Sequence, residues 1–139
     1  MESVFDGFNA TFLAYGQTGT GKTHTIFGSK DTDDVRDERG YFHRAVTHIF
    51  TKIKQQMQIR QFAVRISFFE FYLDNIYDLI ECDGRKLEIK ETVDDGIHIR
   101  DAAEVPVKSI EELFNSVKMA ILNRKTEETS IVLFSISIE

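Results

Sequence analysis

Apolar and polar positions along this chain follow two periods, and the switches between them mark its elements. Phe42, Ala45, Val46, Ile49, Phe50 and Ile53 recur at helical spacing and predict one apolar face on a helix near 41–57. The period then falls to two. Phe62, Val64, Ile66 and Phe68 alternate with Ala63, Arg65 and Ser67, and Phe69 and Phe71 extend the apolar character, so a strand of about eight to ten residues is expected. From Asp74 to Ile80 the spacing of Ile76, Leu79 and Ile80 predicts a short helix or turn. Leu87-Glu88-Ile89-Lys90 and Ile97-His98-Ile99-Arg100 read as two short strands around an Asp94-Asp95-Gly96 turn, the pattern of a hairpin.

Ser109-Ile110-Glu111-Glu112 has the form of a capping box, in which Ser109 caps a helix and Glu112 reaches back. Ile110, Leu113, Phe114, Val117, Ala120 and Ile121 supply that helix with an apolar face. At the end, Phe134, Ile136 and Ile138 alternate with Ser135, Ser137 and Glu139, a half-covered strand. Two stretches near the start differ from all of these. Thr11-Phe12-Leu13-Ala14-Tyr15 is a short apolar run between Asn9 and Gly16, as in a buried strand of a parallel sheet. Residues 29–40 are the most polar of the chain and predict an exposed loop.

Composition narrows the partners. The chain has 139 residues, 42% of them hydrophobic, enough for one domain or part of a larger one. Its net charge is −6, with 23 acidic against 17 basic residues and no cluster of Lys or Arg. Nucleic acid and anionic membrane are therefore not expected as direct partners. Cys82 is the single cysteine, which rules out an intramolecular disulfide and a cysteine-based zinc site, and a free thiol suits the reducing cytosol. The four histidines, His24, His43, His48 and His98, lack metal-ligand spacing. No signal peptide and no apolar run of membrane-spanning length is present in the sequence.

The candidate chemistry lies between the apolar run and the polar loop. Gly16-Gln17-Thr18-Gly19-Thr20-Gly21-Lys22-Thr23 is a complete match to the phosphate-binding pattern G-x-x-x-x-G-K-[ST]. Its glycines let backbone N–H groups close around a polyphosphate, Lys22 supplies a point charge, and the Thr23 hydroxyl can hold Mg²⁺. A chance match in a chain of this length occurs roughly once in a few hundred sequences. An apolar run before the motif and a helix opening at Lys22-Thr23-His24 after it supply the strand–loop–helix context. The expected fold class is therefore α/β: a P-loop NTPase-like central mixed sheet with helices on both faces, incomplete because both ends of the chain fall beside or within a strand.

The flanks make the motif more specific. Gly7-Phe8-Asn9-Ala10-Thr11-Phe12-Leu13-Ala14-Tyr15-Gly16-Gln17-Thr18-Gly19-Thr20-Gly21-Lys22-Thr23-His24-Thr25 closely resembles the P-loop region of kinesin motor domains. Arg39-Gly40 with Arg44-Ala45 is similar to that family's R-G-[IV]-[IV]-P-R-A, with His43 at the place of Pro. Phe69-Glu70-Phe71-Tyr72 followed by Ile76-Tyr77-Asp78-Leu79-Ile80 resembles L-E-I-Y-N-E-x-[IV]-x-D-L-L, and Asn123-Arg124 matches the Asn-Arg before the first switch. The similarity runs in collinear order over nearly the whole chain.

The resemblance implies an ATP-driven microtubule motor of the cytoplasm and its microtubule cytoskeleton, with ATP and Mg²⁺ as cofactors and tubulin as the parent's partner. On it, Gly16, Gln17, Thr18, Gly19, Thr20, Gly21, Lys22 and Thr23 would cradle the phosphates, Thr23 would ligate Mg²⁺, and His24 would face the adenine. Residues 29–40 would be the insert that splits the P-loop helix. The departures also count. After Asn123-Arg124 the chain reads Lys125-Thr126-Glu127-Glu128-Thr129-Ser130 rather than the family's N-x-x-S-S-R-S-H, and D-x-A-G-x-E does not occur. Also missing are the first strand with its adenine clamp and the microtubule-binding elements. Residues 1–139 are thus expected to form a partial motor domain that grips ATP and hydrolyses it poorly or not at all, because phosphoryl transfer depends on positioned charge. No catalytic residue is assigned. The alternative is a non-catalytic kinesin-like module that binds nucleotide or a partner.

Overall fold

A computed structural model describes residues 2–17, 19–28, 39–93, 96–123 and 131–139. The chain divides into two compact units, Met1–Phe62 and Ala63–Glu139. Among its described residues the first contains a 3-10 turn (Glu2–Asp6) and two helices, α1 (Lys22–Phe27) and α2 (Tyr41–Gln56). Helix α2 forms where the periodicity placed it, and Phe42, Val46, Ile49 and Ile53 are its buried face. The Glu2 carboxylate bridges the ring of His48 (3.3 Å) and the ammonium of Lys52 (3.1 Å), one turn apart on α2. Phe5 meets the ring of Phe62 edge-on at 6.3 Å.

The strand expected at residues 11–15 is not there. These residues have no strand pairing, and Leu13 and Tyr15 are 76% and 95% exposed. The physical reason is that a strand exists through its neighbours: an apolar run gains little as β structure unless another strand takes its N–H and C=O groups. Among the described residues no strand lies beside it.

Among its described residues the second unit contains six strands and one helix: β1 (Val64–Tyr72), β2 (Asn75–Asp78), β3 (Lys86–Thr92), β4 (Gly96–Arg100), β5 (Val105–Val107), α3 (Ile110–Leu122) and β6 (Ile131–Ile138). The described pairings are all antiparallel, so the α/β character comes from helices joined to an antiparallel sheet. Strand β1 is the centre. Strand β6 runs along one of its edges from Phe71 to Val64, while β2 and β5 share the other, at Phe69–Tyr72 and Val64–Ile66. Beyond β2 lie β3 and β4. A central position explains why the alternation of β1 breaks down at Phe68-Phe69: residues 66–70 are buried on both faces. Phe68 packs edge-on against Phe134, its partner across the β1–β6 ladder, at 4.8 Å. Phe69, Ile76 and Leu87 form a cluster flanked by Phe71, Ile99 and Ala102.

The helix or turn expected at 74–80 is instead strand β2 and the turn after it. Leu73 and Asp74 have φ of 48° and 58°, between the paired residues Tyr72 and Asn75. Two successive left-handed residues make the tight turn whose twist matches a two-stranded ribbon. No glycine or asparagine marked it, and the helical spacing of Ile76 and Leu79 was a coincidence of strand end and turn. Asp78 anchors that turn. It is 6% exposed; its Oδ1 accepts from the amides of Ile80 (2.7 Å) and Glu81 (3.2 Å), and its Oδ2 from that of Ala103 (2.8 Å). Asn123, at the end of α3, donates to the Leu79 carbonyl at 2.8 Å.

The hairpin of β3 and β4 has the expected register, Glu88 opposite Arg100 and Ile89 opposite Ile99; its turn residues 94–95 lie outside the described residues. The capping box is half as expected. Ser109 Oγ accepts from the Glu112 amide at 3.1 Å, but Glu112 Oε2 accepts from Lys108, one residue earlier than the usual return bond, at 2.8 Å. Leu113, Val117 and Ala120 are the buried face of α3. The polar loop at 29–40 lies outside the described residues except for Arg39 and Gly40, and so does the segment at 124–130.

Candidate functional site

The residues before α1 fold into a loop whose shape follows from its glycines. Gly19 and Gly21 have φ of 85° and 88°, left-handed values that residues with a Cβ rarely adopt. A Cβ added at either would meet nothing within 4 Å, so their backbone stands open to an approaching ligand. Gly16 is needed for another reason: a Cβ there would lie 2.6 Å from the hydroxyl of Thr20. That hydroxyl donates to the Gln17 carbonyl at 2.7 Å, and the Thr20 amide donates to the same oxygen at 3.3 Å, which ties Thr20 to Gln17. Gly21 then starts α1, its carbonyl accepting from the Thr25 amide at 2.8 Å.

Lys22 returns over the loop from which it emerges. Its ammonium donates to the carbonyls of Gly16 (2.9 Å) and Gln17 (2.7 Å), which occupies two of its three donors and holds the positive charge at the loop. Thr23 and His24 follow on the first turn of α1, both exposed. Thr18 lies outside the described residues. The other eight residues picked from the sequence, Gly16, Gln17, Gly19, Thr20, Gly21, Lys22, Thr23 and His24, lie in the loop before α1 and on its first turn, exposed or half-buried. Among the described residues no group of three His, Cys, Asp or Glu side chains could hold a metal ion.

Sequence reasoning singled out Arg39-Gly40 as a motif but did not connect it, or Phe12 and Tyr41, to the bracing of the loop. The ring of Phe12, ahead of the loop, stacks on that of Tyr41 at 3.7 Å and 9°. Behind the loop, Gly28 forms an isolated antiparallel bridge with Arg39. Gly40 has ordinary extended torsions (φ −65°, ψ 173°), yet a Cβ on it would fall on the Ile26 carbonyl and the Gly28 amide. The requirement for glycine is one of space. For Gly40 the sequence signal was the Arg39-Gly40 pair of the family-like segment ahead of an amphipathic helix; nothing local pairs residue 12 with residue 41.

Comparison with known proteins gives the chain's family. The family model for the kinesin motor domain matches residues 1–135. The bovine (Bos taurus) kinesin-like protein KIF3C is 38% identical over 130 residues, 93% of this chain and 16% of that protein. A kinesin heavy chain from Botryotinia fuckeliana is 34% identical over 118 residues, 85% of this chain and 13% of the relative. The chain thus spans about a sixth or less of the length of these relatives. The solved structure of a fast kinesin, described for its ATPase mechanism and interactions with microtubules, superposes with a TM-score of 0.89 at 29% identity, covering 99% of this chain and 40% of that one. With a P-loop in kinesin-type flanks, a matching family model and a shared fold, this chain belongs to the kinesin motor domain family.

Proposed function

We propose that the chain is the nucleotide-gripping part of a kinesin-like microtubule motor and binds Mg-ATP at residues 16–24. The observation that carries this reading is the closed loop of Gly16, Gly19 and Gly21 with the Lys22 ammonium drawn across it. The residues fit the group. Open backbone at Gly19 and Gly21 suits phosphate oxygens, and the Lys22 ammonium would exchange its carbonyl partners for the terminal phosphates. Thr23 would hold Mg²⁺, which neutralises charge on the β- and γ-phosphates. His24, exposed beside them, would lie against the base. Thr18 belongs to the same loop by sequence.

Residues 1–139 act in this proposal as part of a motor domain. The relatives are several times longer, and microtubule binding and movement are assigned to the parent protein rather than to these residues. Since the sequence of 124–130 lacks the hydroxyl and arginine pattern of the first switch, the chain by itself turns over ATP slowly and shows little microtubule stimulation. The test is a melting experiment with and without Mg-ATP. Ligand at about 100 times Kd adds roughly 2.7 kcal/mol to a protein that binds it only when folded. The wild-type melting temperature should rise and that of Lys22→Ala should not; equal shifts in both would remove the loop as the binding site.

A further inference from the structure

The three residues at the start of α2 touch both flanks of the P-loop. Phe12, four positions before Gly16, lies flat on Tyr41 with ring centroids 3.7 Å apart. On the other flank, Gly28 at the end of α1 is bridged to Arg39, and Gly40 packs so closely on Ile26 and Gly28 that a single methyl group has no room. The same short segment therefore fixes the chain entering the loop and the helix leaving it. Its own position is set by α2, whose Phe42, Val46, Ile49 and Ile53 are buried. The loop between these flanks has few constraints of its own: Gln17, Gly19 and Thr20 are exposed, and α1 is only six residues long, too short to hold its shape alone.

We propose that Arg39-Gly40-Tyr41 is a positioning clamp that sets the distance and angle between the two flanks of the P-loop and so tunes its grip on nucleotide phosphate. The proposal rests on the nucleotide-binding reading of the loop for its consequence, though not for its geometry. Phosphate recognition by backbone N–H groups tolerates displacements of about 0.5 Å. A clamp that lets α1 shift against residue 12 weakens binding without touching the ligand. Close packing at Gly40 excludes every side chain, and the stack at Tyr41 requires a flat ring rather than apolar bulk alone.

The experiment measures two quantities on the full chain and on Gly40→Ala, Tyr41→Leu and Tyr41→Phe. The first is hydrogen exchange at the amides of Thr25 and Gly28, which bond within α1 at 2.8 Å each, in nucleotide-free protein. The second is Kd for Mg-ATP by fluorescence titration. Gly40→Ala and Tyr41→Leu should speed exchange at these two amides while α2 exchanges as in wild type, and should raise Kd by about tenfold or more. Tyr41→Phe keeps the ring and should match wild type in both. Should Gly40→Ala fail to fold, Tyr41→Leu against Tyr41→Phe decides alone. Unchanged exchange in Tyr41→Leu, or equal losses in Tyr41→Phe and Tyr41→Leu, overturns the clamp. A wild-type chain that binds no Mg-ATP overturns the nucleotide reading instead, and the exchange difference still tests the clamp.

Discussion

The P-loop unit and the sheet unit are built on opposite terms. In residues 63–139 the centre is a strand buried on both faces, with Phe68 fully enclosed and Asp78 satisfied by three amides. Among the described residues of 2–62 the only extended buried face is that of α2, and the stretch leading into the loop carries Phe8, Phe12, Leu13 and Tyr15 at 49–95% exposure. The first region is held by packing, and the second by a few directed contacts at Lys22, Gly40 and Tyr41. Low local stability is where ligand-responsive segments are commonly drawn from, because a loop that must close on phosphate cannot be locked without it.

The sharpest way to break this contrast is to remove one aromatic ring from each region. Phe68→Ala deletes a buried ring that also contacts Phe134, and should cost about 3–5 kcal/mol in urea denaturation of the chain. Tyr15→Ala, at a side chain 95% exposed, should stay within about 0.5 kcal/mol. Comparable losses would show that residues 11–15 are packed after all. Next in size is Asp78→Ala, which strands the amides of Ile80, Glu81 and Ala103. The expected loss is about 2–4 kcal/mol, read as a lower urea midpoint with no change in slope.

A smaller effect of opposite sign should come from the β1–β2 turn. Leu73 and Asp74 both adopt left-handed φ, so replacing the pair by Asn-Gly should raise stability by about 1 kcal/mol. A loss there would mean that Leu73 has a packing role. The smallest effect belongs to Glu2. The hydrogen-bonded Lys52 ammonium, followed by the charges of Lys52 and His48, holds its carboxyl below the ordinary glutamate range. A lowered carboxylate stabilises the fold above its unfolded value and loses that contribution as the pH falls through its folded value. Glu2→Gln should therefore make the acid limb of the stability curve slightly less steep below about pH 4.3, and 0.5 M salt should erase the difference.

The same contrast separates what the sequence showed from what it hid. Elements held by a repeating apolar face were readable: α2, α3, β1 and the β3–β4 hairpin fell where Ile49, Val117, Ile66 and Ile99 placed them. Elements made by partners were not. Residues 11–15 have the composition of a strand and no described neighbour to make them one, while β2 was hidden by a turn built from Leu73 and Asp74 rather than glycine or asparagine. The P-loop was legible because its chemistry demands particular residues at fixed spacing. The contacts of its braces, Phe12 on Tyr41 and Gly40 on Gly28, were not, because stacking and close approach join distant positions, although Arg39-Gly40 itself stood out as a motif.

The most direct measurement is hydrogen exchange over the whole chain with and without saturating Mg-ATP. Binding at Lys22 and its loop predicts added protection confined to residues 16–28 and the start of α2 near Tyr41, with residues 63–139 unchanged and the effect absent in Lys22→Ala. Protection that appears in the sheet unit instead, or that persists in Lys22→Ala, would contradict the account.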